Sequence, residues 1–376
     1  MKNYKKLESE LNQICLNRVD EIHAMILAHV SRTHLVMLGV PGTAKSMMVR
    51  KFAEAFPTTE SATTSIPYFE IPLNELTQPA EVFGPIDMKK WKNDTEIVYK
   101  TDNFLPNARI AFIDELSRGE TVLNTLLTII NERVFNVNGV STPVPLDMCV
   151  SATNFKLENV QFEALRDRFL QWVNPKKLST EDDRLQMWLA DDKSVTVRIS
   201  EAEVAKCRSE VDAVKLDVDV LKSFNEILIT LEKELGIILS DRRTRMMIKL
   251  IKASAWYNGH SKIETEDLKD IWTACWTNEQ DIPKVKALIK RIADHQAYVI
   301  TEVFNDVMST FTEWNKGSKT IQLTQEAINK VQMADKKLKK LGKIKSSNMD
   351  DYTTADKLIE KANRDLSEHK CKIAIL

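Results

Sequence analysis

HLVMLGVPGTAKS, residues 34–46, reads as a short apolar strand, a glycine-bounded turn and the start of a helix. The helix is expected from Lys45 to about Phe56, where Pro57 stops it. A turn of this kind between a buried strand and a helix N-terminus can bind phosphate. Its backbone N–H groups and the helix dipole converge on the anion. Lys45 would bring a positive charge to the β- and γ-phosphates, and Ser46 a hydroxyl ligand for Mg²⁺. Gly39, Pro41, Gly42, Thr43, Ala44, Lys45, Ser46 and Met47 are therefore the candidate nucleotide contacts. Ala44 stands where this pattern normally has glycine. That position is read as entering the helix, where a methyl group is tolerated.

Working outward, four more apolar runs read as strands: Tyr68–Ile71, Ile110–Ile113, Met148–Ala152 and Phe169–Val173. Helical stretches lie between them, most clearly Val122–Glu132, and residues 5–30 carry a helical face of Leu7, Leu11, Cys15, Val19, Ile22 and Ile26. Short apolar strands alternating with helices predict an α/β fold, a five-stranded parallel sheet between helices. After Pro175 the pattern turns helical at 179–190, 200–216, 219–235, 241–258 and 265–277, which predicts a helical lid. A long helix from Asp281 to about Trp314, a Lys-rich one to about Leu341 and a last one from Thr354 to about Lys370 would follow. The expected domains are residues 1–175, 176–280 and 281–376.

The ends of the strands carry chemistry. Asp114 and Glu115 close the Ile110–Ile113 run, at the sheet edge where open α/β folds bind ligands. Asp114 would hold Mg²⁺ through water and Glu115 would polarise an attacking water. Asn154 ends the next strand, where its amide could hydrogen-bond the γ-phosphate or that water. Arg166 and Arg168 end a helix, and Arg242 and Arg243 begin one in the lid. An arginine donated across a subunit boundary can be worth ~10³–10⁵ in rate. Arg242 could reach the nucleotide from the lid.

Composition excludes some classes and leaves others open. The 376 residues are 28% charged with a net charge of −1, so there is no whole-chain attraction to nucleic acid or anionic lipid. The five cysteines form no C-x-x-C pair and read as reduced thiols of a cytoplasmic protein. The N-terminus has no apolar signal core, and no run approaches the ~18 apolar residues that a membrane span needs. Lys336, Lys337, Lys339, Lys340, Lys343 and Lys345 crowd one stretch that reads as a solvated helix face, with a nucleic-acid or partner contact as the alternative.

In order and spacing these elements resemble the AAA+ superfamily. GVPGTAKS at 39–46, PAEVFGP at 79–85, IDELSRG at 113–119, LNTLLTIINERVF at 123–135, SATN at 151–154, EALRDRF at 163–169 and LSDRR at 239–243 look like the MoxR family, and within it the RavA branch. The resemblance spans about residues 10–280. It implies ATP and Mg²⁺ as cofactors, with Walker A roles for Lys45 and Ser46 and Walker B roles for Asp114 and Glu115. It implies sensor roles for Asn154 and Arg242, and an arginine-finger role for Arg168 ahead of Arg166. Residues 86–104 look like the helix-2 insert, and residues 133–146 like the hairpin before sensor 1. A homohexamer with a remodelling or chaperone-like task and a von Willebrand factor A-type partner protein is implied as well. The chain departs from the RavA pattern after Trp314, where it reads as helical rather than partly β. The other classes kept open are a nucleic-acid motor or loader and a nucleotide-gated scaffold.

Overall fold

The computed structural model describes residues 1–57, 66–94, 97–154, 165–190, 193–317, 320–342, 344 and 348–374. Glu163 and Ala164 of the EALRDRF motif, and Lys343 and Lys345 of the basic run, lie outside the described residues. The chain opens with α1 (Lys2–Ile14) and α2 (Val19–Ser31). Then follow β1 (Leu35–Leu38), α3 (Lys45–Ala53), β2 (Ile66–Pro72), α4 (Pro79–Phe83), α5 (Met88–Asp94) and β3 (Ala108–Asp114). After these come α6 (Glu120–Glu132), β4 (Val134–Val137), β5 (Val140–Pro143), β6 (Met148–Thr153) and β7 (Gln171–Val173).

Five of these strands form a parallel sheet in the order β2-β3-β6-β1-β7. The apolar composition of β1 and β6 follows from their place in the middle, where helices cover both faces and every residue is buried. The order puts β6 between the strand that leads into Gly39 and the strand that ends in Asp114. Leu38 pairs with Thr153, and Asp114 with Ala152, so three strand ends come level at one edge. The expected α/β fold is thus the observed one. β4 and β5 form a separate antiparallel hairpin. Its turn, Asn138-Gly139, has positive φ at both residues, as two-residue hairpin turns prefer. Asn138 Nδ2 donates to Ile97 O at 3.0 Å, which ties the hairpin to the segment after α5.

Beyond the sheet the described elements are helical. They are α7 (Glu181–Leu189), α8 (Glu201–Ala213), α9 (Val218–Leu235), α10 (Asp241–Asn258), a 3₁₀ helix at Thr265–Ala274 and α11 (Ile282–Ala293). Arg243, at the start of α10, is buried and donates to the carbonyls of Arg166, Phe169, Leu170 and Ala274. It fastens the lid to the turn before β7. Three last helices, α12 (His295–Lys316), α13 (Ile321–Lys339) and α14 (Met349–Ala374), enclose a core of their own around Val303, Val331, Leu338 and Leu366.

Four local expectations change. The helical face over 5–30 is broken at Asn17, whose φ is +54°, and Val19 is 60% exposed rather than buried. The last sheet strand begins at Gln171 instead of Phe169. Residues 265–274 wind as a 3₁₀ helix. The helix expected from Asp281 to Trp314 divides at Asp294, whose side chain caps α12 by accepting from Ala297 N at 3.1 Å.

Candidate nucleotide site

Lys45 opens α3, and its ammonium is turned inward, with the residue only 8% exposed. It donates to Gly39 O at 2.6 Å, Val40 O at 3.2 Å and Asn154 Oδ1 at 3.3 Å. Burial lowers its pKa, and the carboxylates of Asp114 and Glu115 work against that shift. Thr43 Oγ1 ties the loop to itself through Val40 O at 3.1 Å. Gly42 has a φ of +78° with open space where a Cβ would stand, so a ligand could approach the bare backbone there. Gly39 is set by packing instead, since a Cβ would meet Pro175 O at 3.0 Å. Pro41 and Met47 are exposed and Ser46 is half-buried on the first turn of α3.

Ala44 does not enter the helix as the sequence reading expects. It is the N-cap, in the left-handed region at φ +63° and ψ +26°. An L-residue there costs roughly 1–2 kcal/mol. The motif's usual glycine is therefore a backbone requirement that this chain meets with strain.

Glu115 is strained in the same way, at φ +55° and ψ +42°. The turn is held by Asp114 Oδ1, which accepts from Glu115 N at 3.0 Å. Glu115 Oε1 accepts from Asn154 Nδ2 at 2.7 Å. Its second oxygen has no hydrogen-bond partner among the described residues, and Arg118 Nε lies 3.7 Å away. One amide, that of Asn154, thus holds Lys45 by its oxygen and Glu115 by its nitrogen. The sheet order explains this, since β6 runs between the two strands that carry them.

Beside the loop lies a cavity of about 660 Å³, within the range of small-molecule sites. Gly42, Thr43, Ala44 and Met47 form one wall and Cys15 another. Lys177 and Arg184 complete it. Neither stood out in the sequence, being ordinary charges in a stretch without a motif.

The candidate arginines sit elsewhere. Arg166 is buried, donates to Trp276 O at 2.8 Å and Thr277 O at 2.7 Å, and lies over the Trp172 ring. It is a structural residue. Arg168 is half-buried on the next turn. Its neighbour Asp167 accepts from Ser240 Oγ at 2.8 Å, so the start of α10 and this turn share an edge. Arg242 is exposed there, and its Nη2 donates to Asn131 Oδ1 at 2.9 Å. Neither Arg168 nor Arg242 lines the cavity beside Gly42. The hydrogen bond that Arg242 makes is to α6 rather than to the loop.

Residues 2–215 match the family model of the MoxR domain in the MoxR–vWA–β-propeller ternary systems, and residues 218–289 match the AAA lid domain. The chain belongs to the MoxR family of AAA+ ATPases. An uncharacterized protein of Methanocaldococcus jannaschii is 30% identical over 317 residues, covering 83% of this chain and 82% of that one. The chaperone MoxR1 of Mycobacterium tuberculosis is 29% identical over 46% of this chain, which spans 45% of that relative. A crystal structure of a candidate ATPase from Cytophaga hutchinsonii superposes with a TM-score of 0.59, at 17% identity, over 77% of this chain and 93% of that one, which is a likeness of fold. The MoxR assignment places the two family models end to end between residues 215 and 218, some way past the last sheet strand at Val173. No helix among the described residues is long and apolar enough to cross a membrane.

Proposed function

We propose that this MoxR-family chain hydrolyses ATP to ADP and phosphate, and that it works as a ring, expected to be hexameric, that remodels a protein partner. The observation that carries the catalytic reading is the Asn154 amide, which joins the one lysine of the loop to Glu115. The residues fit Mg²⁺–ATP. Gly42 leaves the backbone open to phosphate, Lys45 offers a buried ammonium, and Ser46 and Asp114 supply the oxygen ligands that Mg²⁺ prefers. Mg²⁺ supplies charge neutralisation on the phosphates when bound. Lys45 would leave its loop carbonyls for the phosphate oxygens. Glu115 Oε2 would accept a hydrogen bond from the attacking water, with Asn154 fixing the carboxylate. Arg168 and Arg242, grouped away from their own cavity, suit a site completed by the next subunit.

The family model's own setting, a MoxR domain alongside a vWA protein, supports a von Willebrand factor A-type partner over nucleic acid. A RavA-like placement within the family and a cytoplasmic setting belong to the same proposal. Glu115→Gln tests the core of it. The variant should keep ATP affinity and lose turnover, because the amide keeps the shape but not the base. Calorimetry and phosphate release read the two separately, and loss of both together would make Glu115 structural. The same variant is the form with which to co-purify a partner.

A further inference from the structure

Away from the nucleotide site, a second cluster of chemistry-bearing groups closes the turn after α10. Gly259 caps that helix in the left-handed region, and the chain runs through His260 to Glu264 before the 3₁₀ helix begins. Asp267 is wholly buried beneath this turn. Its carboxylate accepts from Asn258 Nδ2 at 2.6 Å, Glu264 N at 2.7 Å and His260 Nδ1 at 3.0 Å. The last bond sets the imidazole. With the Nδ1 hydrogen given to Asp267, the Nε2 lone pair faces the other way, as in metal-binding histidines backed by a carboxylate. Glu266 Oε1 lies 3.4 Å from that Nε2, and Glu264 Oε2 lies 3.9 Å from it.

A lone pair and two carboxylates have no hydrogen to share. Among the described residues, neither glutamate pairs with a lysine or arginine. The backbone of Glu264 is fixed even though its side chain is exposed. Its backbone N–H donates to Asp267 and its backbone carbonyl accepts from Asp267 N at 3.1 Å, which fixes the start of the 3₁₀ helix beneath its carboxylate. Three carboxylates around an oriented imidazole, with no lysine or arginine paired to either glutamate among the described residues, form a donor set that can hold a cation.

We propose that His260 Nε2, Glu264 and Glu266 bind a first-row divalent cation of the Zn²⁺ type, with Asp267 positioning the histidine. Ligand distances of ~2.0–2.2 Å in tetrahedral geometry put donor atoms roughly 3.3–3.6 Å apart. The Nε2–Oε1 separation already matches, and the Glu264 carboxylate needs to close by about half an ångström. All three donor atoms lie within 4.8 Å of one another. An imidazole with carboxylates suits Zn²⁺ better than the all-oxygen shells of Ca²⁺ or Mg²⁺. His260 and Glu264 keep an exposed side, which leaves a fourth position for water. The bound ion would brace the lid where α10 hands over to the 3₁₀ helix.

The test uses the full chain, stripped with chelator and free of nucleotide, and equilibrium dialysis against Zn²⁺. The wild type should bind one equivalent, and both His260→Ala and Glu266→Gln should weaken that binding at least tenfold. Asp114→Asn, which alters the nucleotide site, should bind like the wild type. Glu266→Gln keeps the side chain's shape at a half-buried position and serves if His260→Ala does not fold. Co²⁺ in place of Zn²⁺ should give visible absorption bands of a four-coordinate site in the wild type and not in Glu266→Gln. The proposal is overturned if the wild type binds no stoichiometric Zn²⁺. It is overturned too if Glu266→Gln binds unchanged, or if Asp114→Asn is the variant that loses the ion.

Discussion

Ala44 and Glu115 bring left-handed backbones, at φ +63° and +55°, to the two sides of the candidate nucleotide site. Such strain gathers where the surrounding structure overrides local preference, and it lets the backbone turn its N–H groups or a carboxylate toward a ligand. For Ala44 the consequence can be weighed. Glycine would relieve the ~1–2 kcal/mol of a left-handed L-residue but add roughly 0.5–1 kcal/mol of unfolded-state freedom. Ala44→Gly should therefore gain on the order of 0.5 kcal/mol in urea denaturation, with ATP affinity little changed. A clear loss of stability would show that the methyl makes contacts worth more than its strain. Lys45 is a different case, because its charge has no substitute in the loop. Lys45→Ala should abolish ATP binding, and a near-wild-type calorimetric affinity would remove the phosphate-loop reading. Both residues stood out in the sequence. What it did not show was the sign of Ala44's φ, since a residue one step before a helix looks helical by pattern alone.

Elements are held together by histidines in opposite protonation states. His23 of α2 joins Glu8 of α1 at 2.8 Å and Asp270 of the 3₁₀ helix at 3.5 Å. Burial pulls its pKa down, but the hydrogen bonds and charges of Asp270 and Glu8 outweigh that and raise it to about 10. His34 stays neutral. Its Nε2–H donates to Ile130 O at 2.8 Å and its Nδ1 accepts from Cys149 N at 3.0 Å, while burial and Arg133 push it down to about 3. His29 is likewise held at about 3 by burial and Arg208. The signs are opposite. The His23 contribution is full below the unfolded value near 6.5 and is lost as pH rises toward 10. The His34 and His29 contributions are full above 6.5 and are lost as pH falls toward 3. Stability should therefore fall on both sides of near-neutral pH. His23→Gln should cost roughly 2 kcal/mol at pH 7, less than a fully buried pair because 22% of the side chain is exposed, and should flatten the alkaline limb while also weakening the acid side, where His23 helps to hold the Asp270 carboxyl down. An alkaline limb that keeps its slope in His23→Gln would assign it to other groups. These clamps mark the limit of what could be read in advance. β1, β3 and β6 were legible because central parallel strands are apolar throughout and end in the motifs. The break at Asp294 was not, because Asn348 Nδ2, far along the chain, bonds both its carboxylate oxygens at 3.1 Å. Lys177 and Arg184 were not legible either, since only the fold brings them to the loop.

At the scale of the whole molecule, the proposed ring would complete the candidate site of one chain with groups from the next. The site's loop, carboxylates and amide converge, but Arg168 and Arg242 stand at another edge with Asp167 and Ser240. Arg168→Ala should therefore leave nucleotide affinity largely intact and cut turnover by ~10³ or more, the scale of a donated arginine. Mixing subunits tests whether the donation crosses a boundary. Lys45→Ala chains keep Arg168 but have a dead site, and Arg168→Ala chains keep a sound site but donate nothing. In mixed rings some interfaces unite a sound site with a sound arginine, so activity should rise above both parents. Labelled subunits establish that exchange occurs, and a range of mixing ratios allows for rings that tolerate only a few dead sites. If exchange is shown and activity stays at the parental level at every ratio, Arg168 does not act across the interface. Arg166 could not take its place, because its guanidinium is already committed to Trp276 O and Thr277 O beneath the surface. Arg242, exposed and donating to Asn131, would be the residue to carry through the same mixing experiment.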